Sequence, residues 1–595
     1  MKLLKSIVLN GVTGLLISVA ALAEKPNVIL IMTDDQGYGD LACHGNPYLK
    51  TPELDKMHAE SIRFTNFHVS PFCTPTRASL MTGKHAAKTG AYRTTGGLSI
   101  LFRENKTIAN LFQDNGYATG MFGKWHLGDH APQRPQDFGF EDVVWHRAGG
   151  IGQATDYPGN DYFDDTYERV VPGDRKGKLE KFSGYCTDVF FQESLRFVKE
   201  NKDKPFFLYL PLNAPHGPYH VDEKWAAPYK DNKDIVNANF YGMIANIDWN
   251  FGKFRAELEK LDIADNTILI FMTDNGTSGG GKFNQQQDSL PLKGYNAGMR
   301  GKKSSLYDGG HRVPFFLHWA NGGLTGGKDI DTLAAHYDVL PTLAELCGIT
   351  LPEEYELDGI SLNPLIKGET EGWQRDHLVL HHHGGKMFTS PITEQYADVA
   401  VMTQKWRLVN SWRVSQKHKF TLYDIQEDPS QEKDVSAQFP EVVARLKEYH
   451  QPYWDEVSPI ILNRYARIDL GNPDHNPTEL CSQDWVMEKG YPPYSISRVK
   501  KLPKVIAPWK VHVKEAGRYR ITLRQLPKAT NKTVVGVKAK IEIAGITEEV
   551  TIPKDSKGVD FTVNLPEGDT DLITYIYNTK GEAGGAYFTE VELLD

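Results

Sequence analysis

The chain has 595 residues and a formal net charge of −9, with 40% hydrophobic and 11% aromatic side chains. That composition suits an ordinary globular protein and argues against a general nucleic-acid binder or a disordered chain. The length exceeds what one core can serve, so two to four domains are expected. The five cysteines, at 43, 73, 186, 347 and 481, are too few and too widely spaced for a dense disulfide framework.

The N-terminus reads as an export signal over 1–23. Lys2 and Lys5 precede the apolar run 7–21, and Ala21-Leu22-Ala23 resembles a signal-peptidase site. The run is interrupted by Asn10, Gly11, Thr13 and Gly14 and is short for a membrane span. A periplasmic or secreted protein is expected, with no stable membrane insertion after cleavage.

From 27 to 33 the chain reads NVILIMT, a continuous apolar run suited to a parallel strand buried on both faces. It ends in Asp34-Asp35. The pattern recurs three times: 117–123 runs into Lys124-Trp125-His126, 206–212 into Asn213-Ala214-Pro215-His216, and 267–273 into Asp274-Asn275-Gly276. Helical stretches at 185–200 and 237–261 lie between these runs. Each buried run finishes in metal-ligand or proton-transfer side chains, which predicts one shared active-site edge at the carboxyl ends of a parallel sheet. Asp34, Asp35, Asp274 and Asn275 form a hard, oxygen-only donor set that favours Ca²⁺ or Mg²⁺ over zinc.

The stretch Cys73-Thr74-Pro75-Thr76-Arg77 stands before Ala-Ser-Leu-Met-Thr-Gly. Pro75 suits the first position of a helix, Ala78, Leu80 and Met81 give it a buried face, and Gly83 can end it. Cys73 then lies at a helix N-terminus, where anions are favoured. Residues 145–168 (WHRAGGIGQATDYPGNDYFDDTYE) read as a polar loop flanking the pocket, with Trp145, His146 and Arg147 expected to touch substrate. His381-His382-His383 follows an apolar run; their side chains alternate faces along a strand, and His382 is expected at the pocket edge.

Beyond Leu365 the pattern changes. WRLVNSW and KFTLYDI read as strands, and the stretch from Asp428 to Trp454 as a helix, together a small α+β subdomain over 366–460. The proline-bearing stretch 461–505 reads as a linker. From Trp509 to the end, seven alternating segments separated by turn residues predict a β-sandwich over 506–595.

The ordered motifs NVILIMTDDQGYGD, CTPTRASLMTG, GKWHLG, NAPHGPY, MTDNG, RGKKSSLYDGGHRVPF and HYDVLPTLAELCGI resemble those of the formylglycine-dependent (type I) sulfatases of the alkaline-phosphatase superfamily. The resemblance covers roughly 25–460. It implies an α/β fold with a mostly parallel central sheet flanked by helices, a catalytic domain over 24–365, and hydrolysis of sulfate esters. It also implies that Cys73 is converted by a formylglycine-generating maturation enzyme to an aldehyde, whose hydrate is the nucleophile. Arg77 would stabilise that group, and Asp34, Asp35, Asp274 and Asn275, joined by modified Cys73, would hold the cation. Lys124 and Lys303 would clamp the sulfate, His126 would hydrogen-bond the hydrate, and His216 would protonate the leaving alcohol. Lys303 is preferred over Lys302 because Lys-x-Ser-x-Tyr-Asp-Gly-Gly then keeps the family spacing; where the family usually has Glu, this chain has Asp308.

The resemblance and the C-terminal sandwich make a sulfated carbohydrate the expected substrate. Two other readings stay open on the residues alone: a phosphonate or phosphodiester hydrolase of the same superfamily, and an idle glycan-binding protein with a retained fold.

Overall fold

The computed structural model describes residues 25–382, 395–411, 419–488 and 490–594. The expected export signal and His383 lie outside the described residues. The catalytic unit is built on ten strands: β1 (Asn27–Thr33), β2 (Ile62–Phe64), β3 (Ala118–Lys124), β4 (Asp142–His146), β5 (Thr166–Val170), β6 (Lys178–Lys181), β7 (Phe206–Pro211), β8 (Thr267–Thr273), β9 (Phe315–His318) and β10 (Asp329–Ile330). Their order across the sheet is β10-β2-β9-β8-β1-β7-β3-β4-β5-β6. The five central strands β8, β1, β7, β3 and β4 run parallel, and antiparallel pairs flank them on both sides.

Strand β1 is buried along its whole length, as a parallel strand covered on both faces must be. Val28, Leu30 and Met32 join the core beneath Leu80, Leu340 and Leu343. Ile29 and Ile31 point the other way, into a core with Phe190, Met243 and Ile247. That alternation is the two-residue period of a strand, and each such side chain contributes about 1.5–3 kcal/mol of burial. The helices covering the two faces include α1 (Pro52–Glu60), α2 (Cys73–Thr82), α3 (Cys186–Asn201), α4 (Ala238–Lys260) and α5 (Val339–Leu346).

A four-stranded antiparallel sheet follows: β11 (Leu378–His381), β12 (Val399–Met402), β13 (Trp406–Asn410) and β14 (Thr421–Asp424). Helix α6 (Pro440–Asn463) buries Leu446, Tyr453 and Val457 against it. The seven segments expected after Trp509 all form strands, at Trp509–Val513, Gly517–Arg524, Lys538–Ile543, Ile546–Thr551, Val559–Leu565, Gly568–Tyr577 and Phe588–Leu593. They divide between two sheets over one core containing Trp509, Tyr519, Ile541 and Val591.

Three expectations need correction. The stretch 461–505 is not only a linker: Ile468–Leu470 pairs with Trp509–Val513, and Thr478–Cys481 pairs with Phe588–Leu593. Proline hid these strands, because the apolar alternation that would announce them is only three or four residues long. Residues 142–146 and 166–170 are strands of the central sheet, so the loop is 147–165 only. Helix α2 starts at Cys73, not Pro75; its first-turn N–H groups lack intrahelical partners in any case, so proline is tolerated at the third position as well.

Candidate active site

Four adjacent parallel strands, β8, β1, β7 and β3, bring their carboxyl ends to one edge. Asp274 follows β8, Asp34 and Asp35 follow β1, Asn213 and His216 follow β7, and Lys124 closes β3 just before His126. Asp35 and His126 take positive φ angles of 69° and 59°, conformations that cost non-glycine residues energy and cluster at functional sites. Helix α2 presents Cys73 to the same edge from its first turn. Gly83 ends that helix in the left-handed conformation, its N–H donating to Ser79 O at 2.9 Å.

The buried side chains are matched in charge. Arg77, with no solvent exposure, donates from Nη2 to Asp274 Oδ2 at 2.9 Å and from Nη1 to Lys124 O at 2.9 Å. Lys124 Nζ lies 2.5 Å from Asp34 Oδ2. Lys303 Nζ lies 2.6 Å from Asp35 Oδ1, which also accepts from Asn275 Nδ2 at 2.9 Å. Asp35 N donates to Asp274 Oδ1 at 3.0 Å. Burial pushes Asp274 up to about 7, with neighbouring Asp34 adding to it. Burial also raises Asp35, but the Lys303 ammonium outweighs it, helped by the hydrogen bond from Asn275, and holds that carboxyl below its ordinary range.

Donor atoms of Asp34, Cys73 and Asp274 lie within 4.8 Å of one another. Asp34 Oδ1 and Asn275 Oδ1 are buried with no hydrogen-bond partner. Unsatisfied buried oxygens are costly, and crowded carboxylates with free lone pairs fit a hard cation. A second buried donor cluster, His68, Asp308 and His311, is otherwise engaged: Asp308 Oδ1 accepts from Arg407 Nε of β13 at 3.0 Å, and the two rings meet at Nδ1 with 2.9 Å between them.

Hydrogen bonds fix the tautomers of the histidines. His126 Nε2 donates to Thr94 O at 3.1 Å, which leaves Nδ1 an unpartnered acceptor. His216 Nδ1 donates to Gly217 O at 2.6 Å, and its Nε2 stands 3.8 Å from Asp35 Oδ2. Burial, reinforced by Lys303, pushes His216 down to about 3. Burial with Lys124 lowers His126 well below its ordinary value, so both rings are neutral at pH 7.

A sulfatase family model matches residues 26–349, and a model for the C-terminal region of N-sulphoglucosamine sulphohydrolase matches 300–452. The chain belongs to the sulfatase family. It is a sulfuric ester hydrolase. Human N-acetylgalactosamine-6-sulfatase is 28% identical over 417 residues, covering 65% of this chain and 73% of that protein. The N-acetylgalactosamine-6-O-sulfatase of Bacteroides thetaiotaomicron is 28% identical over 499 residues, covering 72% and 92%. Among solved structures, Ps i-CgsB superimposes with a TM-score of 0.61 at 28% identity, covering 73% of this chain and 93% of that one.

In this sulfatase the residues expected at the strand ends do assemble, and Lys303 is distinguished from Lys302, whose Nζ donates to Ser278 O at 3.2 Å. The expected substrate contacts fare differently. Trp145 is fully buried in the core. His146 ends β4 beside Lys124. It is buried and donates from Nδ1 to Arg147 O at 2.9 Å. Arg147 turns away to Glu168 at 3.1 Å and Glu479 at 3.6 Å. Neither Trp145 nor Arg147 reaches the strand-end residues: core packing and an ion pair to the C-terminal part of the chain hold them, which residue type did not announce. His382 is half-buried and stacks on Phe72, with ring centroids 4.3 Å apart, next to Cys73 in sequence.

Sequence reasoning missed Gly149 and Gly150. A Cβ at Gly149 would sit 2.6 Å from the His126 ring, and one at Gly150 3.2 Å from His216 Nδ1. Glycine is what lets the 147–165 loop close over both rings. The Gly-Gly pair in an otherwise polar loop was the available signal.

Proposed function

We propose that this enzyme removes sulfate from carbohydrates, with Cys73 working as formylglycine beside a Ca²⁺ ion, Mg²⁺ being the alternative. The reading rests on one juxtaposition: the Cys73 side chain shares its buried neighbourhood with Asp34 and Asp274, and Arg77, Lys124 and Lys303 gather around those acids. A sulfate ester is an anion that repels nucleophiles, and fixed cations at such an edge offset that repulsion. Asp34, Asp35, Asp274 and Asn275 would hold the ion, which supplies positive charge that acidifies a neighbouring hydroxyl and polarises the ester.

The chain's own groups supply the rest. Hydrated formylglycine carries two hydroxyls on one carbon. One attacks sulfur and the S–O bond to the sugar breaks; ionisation of the other then breaks the C–O bond to sulfate and restores the aldehyde. His126 Nδ1, the ring's free acceptor, suits a hydrogen bond from that hydrate. Lys124 and Lys303 clamp the sulfate, and Arg77 holds Asp274 and the Lys124 backbone beneath it. His216 presents Nε2 as the face that carries a proton to the leaving oxygen; an incoming anionic ester offsets Lys303 and so favours protonation there. His382, stacked on Phe72, and His146, beside Lys124, would border the pocket.

The carbohydrate part is supported by the relatives, which include N-acetylgalactosamine-6-sulfatases, and by Ps i-CgsB, solved in complex with a neocarrahexaose. Release of sulfate from a panel of defined sulfated saccharides, beside aryl sulfate and matched phosphate and phosphonate esters, tests it. Saccharide desulfation is expected; a large preference for phosphorus esters overturns it. Intact-mass measurement of active enzyme is expected to show Cys73 converted, and a retained thiol overturns that part. The same reading places the mature enzyme outside the cytoplasm, matured by a formylglycine-generating enzyme; N-terminal sequencing near Glu24 checks the cleavage.

A further inference from the structure

We propose that the cavity between the catalytic unit and the β-sandwich binds an uncharged ring of the sugar chain, away from the ester that is cut. The inference rests on the carbohydrate reading above. The cavity holds about 310 Å³, at the lower end of small-ligand sites and too small for a folded partner. Tyr157, Pro158 and Leu179 form one wall, and Pro527, Ala529 and Phe588 of the sandwich form the other. Leu179 is 55% exposed, an apolar side chain left uncovered at the rim.

Charge decides what kind of ligand fits. Four lining carboxylates, Asp156, Glu168, Glu479 and Glu590, face Arg147, Arg524 and Lys528. Arg147 is already shared between Glu168 and Glu479, and Lys528 Nζ lies 2.8 Å from Glu590. Arg524 donates from Nη1 to Lys557 O at 2.6 Å, and with four carboxylates beside three cations the lining carries no net positive charge to favour a sulfate. An apolar surface bordered by charged donors and acceptors matches a neutral pyranose, whose C–H faces pack on aromatic and aliphatic groups while its hydroxyls bond to the rim.

The cavity is also connected to the chemistry. Gly149 and Gly150 back the two catalytic histidines, while Ala154 to Pro158 of the same loop line the cavity. Ala154 N donates to Tyr494 O at 3.1 Å, and Arg147 reaches Glu479, so the loop is fastened to the C-terminal part of the chain. A ring seated in the cavity would hold the loop that holds the histidines.

The test uses the full-length enzyme and two exposed positions, Ala529→Trp to fill the mouth and Leu179→Asp to charge it. Titration calorimetry with agarohexaose, cellohexaose and desulfated carrageenan hexasaccharide is expected to show saturable binding of at least one. Each variant should weaken that binding about tenfold or more, while turnover of an aryl sulfate stays within about twofold. Absence of binding by all three, or variants that bind like the parent, overturns the inference. If the hexasaccharide binds and the variants lose it, but no sulfated saccharide is turned over, the carbohydrate-ester reading fails and the cavity assignment stands. If sulfated saccharides are turned over with no hexasaccharide binding, the cavity assignment fails alone.

Discussion

Arg77 has no route to solvent, and its fork holds Asp274 and the Lys124 carbonyl at once. Arg77→Met strands the buried Asp274 carboxylate and the Lys124 carbonyl and should cost about 3–5 kcal/mol, read as a lowered thermal midpoint along with lost turnover. Arg77→Lys should rescue neither, because an ammonium cannot span both partners. The cation site makes a separate prediction. Chelation should abolish activity, and added Ca²⁺ should raise the thermal midpoint of the wild type but not of Asp274→Asn, since an ion bound only by the native state stabilises it by mass action. A midpoint equally responsive in both would refute the assignment. Cys73→Ser and Cys73→Ala should both abolish sulfate release. Asp274 was legible in the sequence because it follows a buried apolar run, where a charged side chain has few reasons to be, whereas Cys73 and Arg77 were read from the helix start and the family resemblance. Gly149 and Gly150 were not, because what they contribute is the lack of a side chain. The pairing of Arg147 with Glu168 and Glu479 was not legible, because an arginine near a pocket looks the same on paper whatever carboxylates it meets.

At the level of elements, two contacts join the four-stranded sheet and helix α6 to the catalytic unit and to each other. Arg407 of β13 reaches Asp308, which begins the short helix Asp308–His311, five residues past Lys303 in sequence. Burial raises Asp308, but Arg407 and the two histidines outweigh it and keep it ionised. His450 of α6 is fully buried among His381, Tyr453 and Trp454, with neither ring nitrogen partnered. Burial pushes it down to about 4. The unfolded chain therefore binds more protons than the folded one between about pH 4 and 6.5, and stability rises with pH across that window. Acidification from pH 7 to 4 should remove about 3 kcal/mol through this one group. His450→Phe should flatten that part of the profile, and an unchanged slope of the thermal midpoint against pH would refute it. The helices and the long strands were readable from periodicity, whereas the strands at 468–470 and 478–481 were too short to carry one.

Across the whole molecule, the β-sandwich is fastened to the catalytic unit rather than hung from it. Ile100 and Phe102 of the catalytic unit join the sandwich core, Arg103 pairs with Asp469 at 2.8 Å, and Asp469 N donates to Ala131 O at 3.0 Å. Removing 464–595 would expose that apolar surface, and the truncated chain should express largely insoluble; a soluble, fully active truncation would contradict this. The expectation of an appendage was right about its strands and silent about its attachment, because an interface made by isolated residues such as Ile100 and Asp469 leaves no pattern in a linear sequence.

Cys73 is 2% exposed inside the first turn of α2. A second protein cannot reach a side chain so enclosed, so the proposed conversion of Cys73 would have to precede the docking of its own helix. On that proposal the order of events is a matter of folding kinetics: a chain that packs α2 first would keep its thiol. Supplied with the maturation enzyme, folded thiol-form protein should stay inactive, while the same protein converted during synthesis, or unfolded and refolded in its presence, should gain turnover.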